Sequence, residues 1–279
     1  MVQPGVGLDG TAFRLPERVD AVVLAASPNT GPLRHASPEP FEALIPVGGE
    51  PMVARVVRAL AGARRVGRIA CVGPAAVVQA AQAGVGPAQA GRVVAVAPGP
   101  ELVANLEAGM QATESGYVLV ATADIPLLRP AMVDDFVSRC EQNGEPMDVW
   151  YSVVERRQGE AAYPGVRRTW VRLADGTFTG GNLLLLRRDV VGRVRTLVTL
   201  AVEARKRPLA LARLLGTRVM WRWLCGRLQV ADVERRVAEM AGLRGRAVLT
   251  PHPEIGIDVD KPEDLALVRR CVQAGVSAP

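Results

Sequence analysis

Asp124 follows directly on the apolar run Tyr117-Val118-Leu119-Val120-Ala121 and is held there by Ile125-Pro126. A carboxylate at the end of a buried strand is costly unless water, a cation or hydrogen-bond donors meet it. Such a residue either caps the helix that starts at Pro130 or does chemistry. Near the end of the chain, Asp258 and Asp260 bracket Val259. In an extended backbone these two carboxylates share one face. Lys261-Pro262-Glu263-Asp264 follows, with Pro262 suited to a first helical turn and the two acids to the positive end of a helix. One carboxylate could cap that helix; two ahead of the cap are more than it needs. The stretch Ser27-Pro28-Asn29-Thr30-Gly31-Pro32-Leu33-Arg34 is a turn-forming loop, and Gly180-Gly181-Asn182 combines close backbone approach with a side chain that both donates and accepts. Carboxylates converging on a divalent cation can hold Mg²⁺ or Mn²⁺ together with the phosphates of a nucleoside triphosphate. Catalysis then rests on positioning and charge neutralisation.

These residues must be carried by a scaffold, and the patterning predicts one. Asp20–Ala26, Ile69–Val72, Val93–Val96 and Tyr117–Ala121 are apolar runs of the kind found in strands buried on both faces. Between them, helices are predicted from Met52, from Ala75 and from Leu102, the first with Met52, Val53, Val56, Val57 and Leu60 on one face and Arg55 and Arg58 opposite. Strand alternating with helix argues for parallel βαβ units. Met147–Val154 reads as a further strand with Val149, Tyr151 and Val153 alternating, Thr169–Leu173 as another, and Phe178–Leu186 as a third after an Asp175-Gly176 turn. Val248-Leu249 and the helix from Pro262 complete the set. The expected fold is α/β: a three-layer, Rossmann-like, mostly parallel sheet with flanking helices and a helical insertion. The expected division is an N-terminal extension (1–19), a core (20–186), a basic helical insertion (187–246) and a C-terminal strand and helix that rejoin the core (247–279).

The charge is local. The chain carries +6 overall, yet Arg187–Arg246 holds fifteen Lys+Arg against five Asp+Glu, a net of +10 that leaves −4 for the rest. Such a block would attract an anionic substrate or present a solvated face. Aromatic residues join its arginines only around Trp221 and Trp223, so nucleic acid is an unfavoured partner. Those two tryptophans point to different sides of a helix, and one of them is expected in the core. Cys71, Cys140, Cys225 and Cys271 form no C-x-x-C pair, so neither zinc nor a redox dithiol is supported and buried free thiols are expected. No basic-then-apolar leader and no span of 18 apolar residues appears, which points to a cytoplasmic protein. His35, in the first loop, is expected at the surface.

Five stretches together carry a resemblance: Val22-Val23-Leu24-Ala25-Ala26, Ala43-Leu44-Ile45-Pro46-Val47-Gly48-Gly49-Glu50-Pro51-Met52, Ala123-Asp124-Ile125-Pro126, Gly180-Gly181-Asn182 and Asp258-Val259-Asp260-Lys261-Pro262-Glu263-Asp264-Leu265. In this order they resemble the MobA-like nucleotidyltransferases, over about Asp20 to Arg270. The resemblance implies a GT-A-like fold. It implies Asp124 and Asp258 as catalytic metal ligands, with Asp260 the alternative for the second. It implies nucleotide binding by the loop from Leu24, Ala25, Ala26 and Ser27 to Arg34, and an acceptor side lined by Gly181 and Asn182. The implied reaction is Mg²⁺-dependent transfer of a nucleoside monophosphate from an NTP to a phosphorylated small-molecule acceptor, such as a sugar phosphate or a cofactor precursor, with release of pyrophosphate. Two positions depart from the family pattern. Ser27 and Pro28 stand where glycine is usual, and Glu42 takes the place of a lysine that normally precedes the Leu44-Ile45-Pro46-Val47 stretch. An anion there repels a triphosphate. This motivates a second reading, a non-catalytic nucleotide-binding or regulatory protein on the same fold. A third, a GT-A glycosyltransferase, rests on the Asp258-Val259-Asp260 pattern.

Overall fold

A computed structural model describes residues 13–142, 144–166, 168–193 and 216–275. The predicted segments 1–12 and 194–215, within the N-terminal extension and the basic insertion, lie outside these described residues, as do the last four positions. Four parallel strands form one half of the sheet: β1 (Val19–Leu24), β4 (Val66–Val72), β5 (Val93–Val96) and β6 (Tyr117–Thr122). Two short strands, β2 (Pro46–Val47) and β3 (Glu50–Pro51), make a separate antiparallel ribbon. Next to β6 runs the long antiparallel β9 (Gly176–Arg187), which also pairs with β7 (Val149–Glu155) and β8 (Val171–Leu173). Finally β10 (Gly245–Leu249) pairs parallel with β7, so the main sheet reads β10-β7-β9-β6-β1-β4-β5 with β8 attached to β9. The architecture is the expected mixed, mostly parallel α/β sheet.

Helices cover both faces. On one side α1 (Met52–Gly62), α2 (Ala75–Val85) and α5 (Pro130–Gln142) bury Val53, Val57, Val77 and Phe136 against Val23, Ile69 and Leu119. On the other, α4 (Leu102–Gln111) sets Leu106 and Met110 against Val22, Val72 and Val120. The strands are apolar on both faces because both faces are covered. Short helices α3 (Pro87–Ala90) and α6 (Arg156–Ala162) fill connections. In the described part of the basic block, α7 (Thr217–Leu224) precedes α8 (Val230–Ala241), which packs on β10. Its start is tied to the β8–β9 turn, where Ala174 N–H donates to Leu228 O at 2.7 Å. The last helix, α9 (Pro262–Gln273), closes a third cluster with Leu33, Ile45, Val47, Met52, Ile257 and Val259. That cluster lies beneath the candidate site.

Three local expectations are corrected. Along β7 the buried set is Trp150, Ser152 and Val154, whereas Tyr151 is 38% exposed. Both faces of this strand carry apolar residues, and the larger Trp150 takes the core side, stacking with Phe13 and packing on Tyr117. Neither Trp221 nor Trp223 is core: they are 70% and 50% exposed, and Val219 takes the inward position of this eight-residue helix. Cys71 and Cys140 are buried free thiols, but Cys225, at the end of α7, is exposed. Among the described residues, no helix is long and apolar enough to cross a membrane.

At Gly109 of α4 an added Cβ would lie 2.5 Å from Val22 Cγ1 and 3.0 Å from Val72 Cγ2. Gly109→Ala is therefore expected to destabilise the fold by about 1–3 kcal/mol through overpacking. Urea unfolding measures this; an unchanged midpoint would show that α4 can back away from β1.

Candidate functional site

The site is built where β1 and β6 end and the last loop of the chain meets them. Leu24 and Thr122 are paired at the carboxyl ends of these parallel strands, and Ala123 N–H donates to Leu24 O at 3.2 Å. The edge formed by strand carboxyl ends is where open α/β sheets bind ligands. Asp124 projects from this turn, and the Thr122 hydroxyl donates to its Oδ1 at 2.5 Å. Arg55 of α1 braces the same turn by donating to Pro126 O at 3.1 Å.

Several bonds bring the C-terminal aspartates to Asp124. Val259 N–H donates to Asp124 O at 2.9 Å. The preceding 3-10 turn (Pro253–Gly256) is held by Asn182 Nδ2 donating to Ile255 O at 3.0 Å, and by Arg129 paired at 3.0 Å with the buried Glu254. Ile255, Ile257 and Val259 are buried, so Asp258 and Asp260 turn to the opposite side of an extended segment. Asp264 completes the local fold by accepting from Lys261 N–H at 3.1 Å, which caps α9. As a result Asp124, Asp258 and Asp260 each offer an oxygen, and these oxygens all lie within 4.8 Å of one another.

Like charges this close, in a half-buried place, oppose the ionisation of Asp124. The Asp124 carboxyl is pushed up to about 7, chiefly by desolvation and further by Asp258 and Asp260, with the Thr122 hydroxyl opposing. Glu42 is pushed up by burial and by Asp260, so it faces the same acidic cluster. Three hard oxygen donors and unfavourable mutual repulsion fit a divalent cation such as Mg²⁺ or Mn²⁺, whose charge reverses the repulsion.

Arg168 was not singled out by the sequence. Its guanidinium is bonded through Nη1 to Asp258 Oδ1, donates through Nη2 to Asp258 O at 2.8 Å, and approaches Asp264 at 3.9 Å. It lies in the irregular stretch between α6 and β8, ninety positions from Asp258, and no local pattern marks it. Nor does the sequence mark Glu254: an acid before Ile-Gly-Ile carries no sign that it will be buried.

The first loop is a self-braced clasp. Asn29 Nδ2 donates to Ser37 O and Glu39 O at 3.1 and 2.9 Å, and Glu42 N–H donates to Ser27 O at 3.1 Å. Ser27 is exposed, Ala25 buried and Ala26 half-buried. Arg34 donates to Pro38 O at 2.5 Å and Glu39 O at 3.3 Å, so its guanidinium is engaged within the loop; His35 is exposed. Gly181, expected on the acceptor side, lies against β7, where a Cβ would meet Ser152 Oγ at 2.3 Å. Ala121 pairs with Leu183, which sets Asn182 beside the strand end that carries Asp124.

A profile of the MobA-like NTP transferase domain matches residues 21–224. Over 119 residues the chain is 35% identical to 2-C-methyl-D-erythritol 4-phosphate cytidylyltransferase from Nocardia farcinica (strain IFM 10152), a stretch that is 42% of this chain and 51% of that protein. The chain thus spans about half the length of this curated relative. Among solved structures, a hypothetical transferase from Thermus thermophilus is 39% identical with a TM-score of 0.73, over 89% of this chain and 99% of its own. CMP:2-keto-3-deoxy-manno-octonic acid synthetase complexed with CTP gives a TM-score of 0.58 over 94% of this chain and 100% of its own. At 17% identity this last likeness is one of fold.

With a carboxyl near 7 in the folded chain against an ordinary 3.8, the metal-free folded protein binds more protons than the unfolded one between these values. The contribution of this group to stability therefore falls as pH rises from about 4 to 7. Asp124→Asn removes this dependence, so in a chelator its melting temperature should gain on that of the wild type between pH 5 and pH 8. Parallel curves for the two proteins would show that Asp124 ionises normally.

Proposed function

Because the chain belongs to the MobA-like NTP transferase domain family, a family of nucleotidyltransferases, we propose that it transfers a nucleoside monophosphate from an NTP to a phosphorylated small molecule, in a reaction that needs a divalent cation. The observation that carries this is the convergence of Asp124, Asp258 and Asp260 at the strand ends. In this reading Asp124 and Asp258 hold Mg²⁺ or Mn²⁺, with Asp260 as the third donor. The ion, when bound, neutralises phosphate oxygens and the charge that builds at the α-phosphorus as pyrophosphate leaves.

The residues of the chain supply position. Leu24, Ala25, Ala26 and Ser27 form the floor from which the clasp rises, and its cross-loop hydrogen bonds hold the shape that the nucleotide meets. Gly181 and Asn182 belong to the acceptor side, next to Asp124 across the β6–β9 pair. CTP is the first donor to test, on the strength of the cytidylyltransferase that is 35% identical over 119 residues, and a phosphorylated polyol follows from the same relative as the first acceptor. The cytoplasm is the proposed compartment. Glu42, beside Asp260, gives specific weight to the second reading, in which the fold binds nucleotide without turnover.

Thermal unfolding with CTP, GTP, ATP and UTP, with and without Mg²⁺, tests the proposal together with pyrophosphate release. A nucleotide at a hundred times its Kd adds about 2.7 kcal/mol, or roughly 5 °C for a chain of this size. The shift is expected to need both Mg²⁺ and Asp124, and Asp124→Asn is expected to abolish pyrophosphate release. A metal-dependent shift with no turnover on any acceptor would favour the binding-protein reading. A shift that survives in Asp124→Asn would sink the assignment of this residue.

A further inference from the structure

We propose that Arg168 is a built-in counter-ion: it occupies Asp258 in the ligand-free protein, yields that carboxylate to the divalent cation, and then turns its guanidinium to the phosphates of the substrate. The inference rests on the metal–nucleotide reading above. Asp258 is claimed twice, by the carboxylate cluster with Asp124 and Asp260 and by Arg168, which engages both its Oδ1 and its backbone carbonyl. A guanidinium and a doubly charged cation on one carboxylate repel each other, so one displaces the other or both bind less well.

Three features favour displacement. First, the pairing is incomplete. Arg168 is only 12% exposed, yet its buried Nε–H has no partner. A buried unsatisfied donor costs free energy that another arrangement can recover. Second, Arg168 is not closed in on every side. It also borders a small depression lined by Tyr163, Val166, Trp170 and Ile257. Third, the site needs a cation for phosphate. Glu42, Asp124, Asp258 and Asp260 make it acidic, and Arg34 is engaged by the carbonyls of its own loop. The planar fork of an arginine matches phosphate oxygens two at a time. The same side chain therefore neutralises carboxylates before the substrate arrives and phosphates afterwards.

Mn²⁺ binding followed by electron paramagnetic resonance, without nucleotide, tests this apart from any activity. If Arg168 occupies Asp258 about nine-tenths of the time, the apparent Kd for Mn²⁺ is raised about tenfold. Arg168→Gln is then expected to bind Mn²⁺ about tenfold more tightly than the wild type. With Mn²⁺ saturating, the same variant is expected to bind CTP, or whichever NTP the thermal assay selects, at least tenfold more weakly. Arg168→Lys keeps the charge without the fork and should fall between the two on both measurements; it also carries the test should Arg168→Gln fail to fold. Unchanged or weaker Mn²⁺ binding in the variants, with binding still lost in Asp124→Asn, overturns the counter-ion role and leaves the metal site standing. Absence of Mn²⁺ binding in every variant overturns the metal site itself, and the counter-ion role with it.

Discussion

The hydrogen bond from Val259 N–H to Asp124 O is the contact on which the site depends. It joins the end of a central strand to a segment that the chain makes much later, and it sets aspartates 258 and 260 against Asp124. What it brings together repels. Burial first, and this repulsion second, drive the Asp124 carboxyl from an ordinary 3.8 to about 7, a few kcal/mol of unfavourable free energy once it ionises. Against this stand Ile255, Ile257 and Val259, fully or nearly fully buried, each worth roughly 1.5–3 kcal/mol. The apolar side of the segment therefore wins and holds the polar side in place. Asn182 on Ile255 O and Arg129 on Glu254 add direction to that anchoring.

Most of the scaffold could be read in the sequence because its strands are covered on both faces and so are written as unbroken apolar runs. Val93–Val96 has the same bounds in the sequence and in the structure, and Tyr117–Ala121 differs by one residue. Patterning misled where burial is decided by tertiary context. In β7 both faces are apolar, so alternation could not say which one meets the core. In α7 the spacing of Trp221 and Trp223 suggested one inward ring, but the core offers an eight-residue helix room only for Val219.

The site divides in the same way. Asp124 and the Asp258/Asp260 pair were legible because a carboxylate beside an apolar run is locally anomalous. Arg168 was not, because an arginine in an exposed-looking turn becomes notable only through a partner ninety positions away. Glu254 was invisible for the converse reason: its burial depends on Arg129 and on the Tyr163 hydroxyl, neither of them near in sequence. Glu42 was noticed as a departure, and its neighbourhood with Asp260 gives that departure a physical meaning.

The sheet order also fixes when the site can exist during synthesis. Its parallel half, β1, β4, β5 and β6, has been synthesised once Thr122 is added, and these strands pair directly with one another. Asp258 comes 134 positions after Asp124. At about 5–20 residues per second, roughly seven to twenty-seven seconds separate the two. Throughout that interval the nascent chain carries Asp124 with neither partner carboxylate yet made. The three-carboxylate cluster cannot exist until Asp258 and Asp260 have been made, which places it among the last parts of the molecule to be completed.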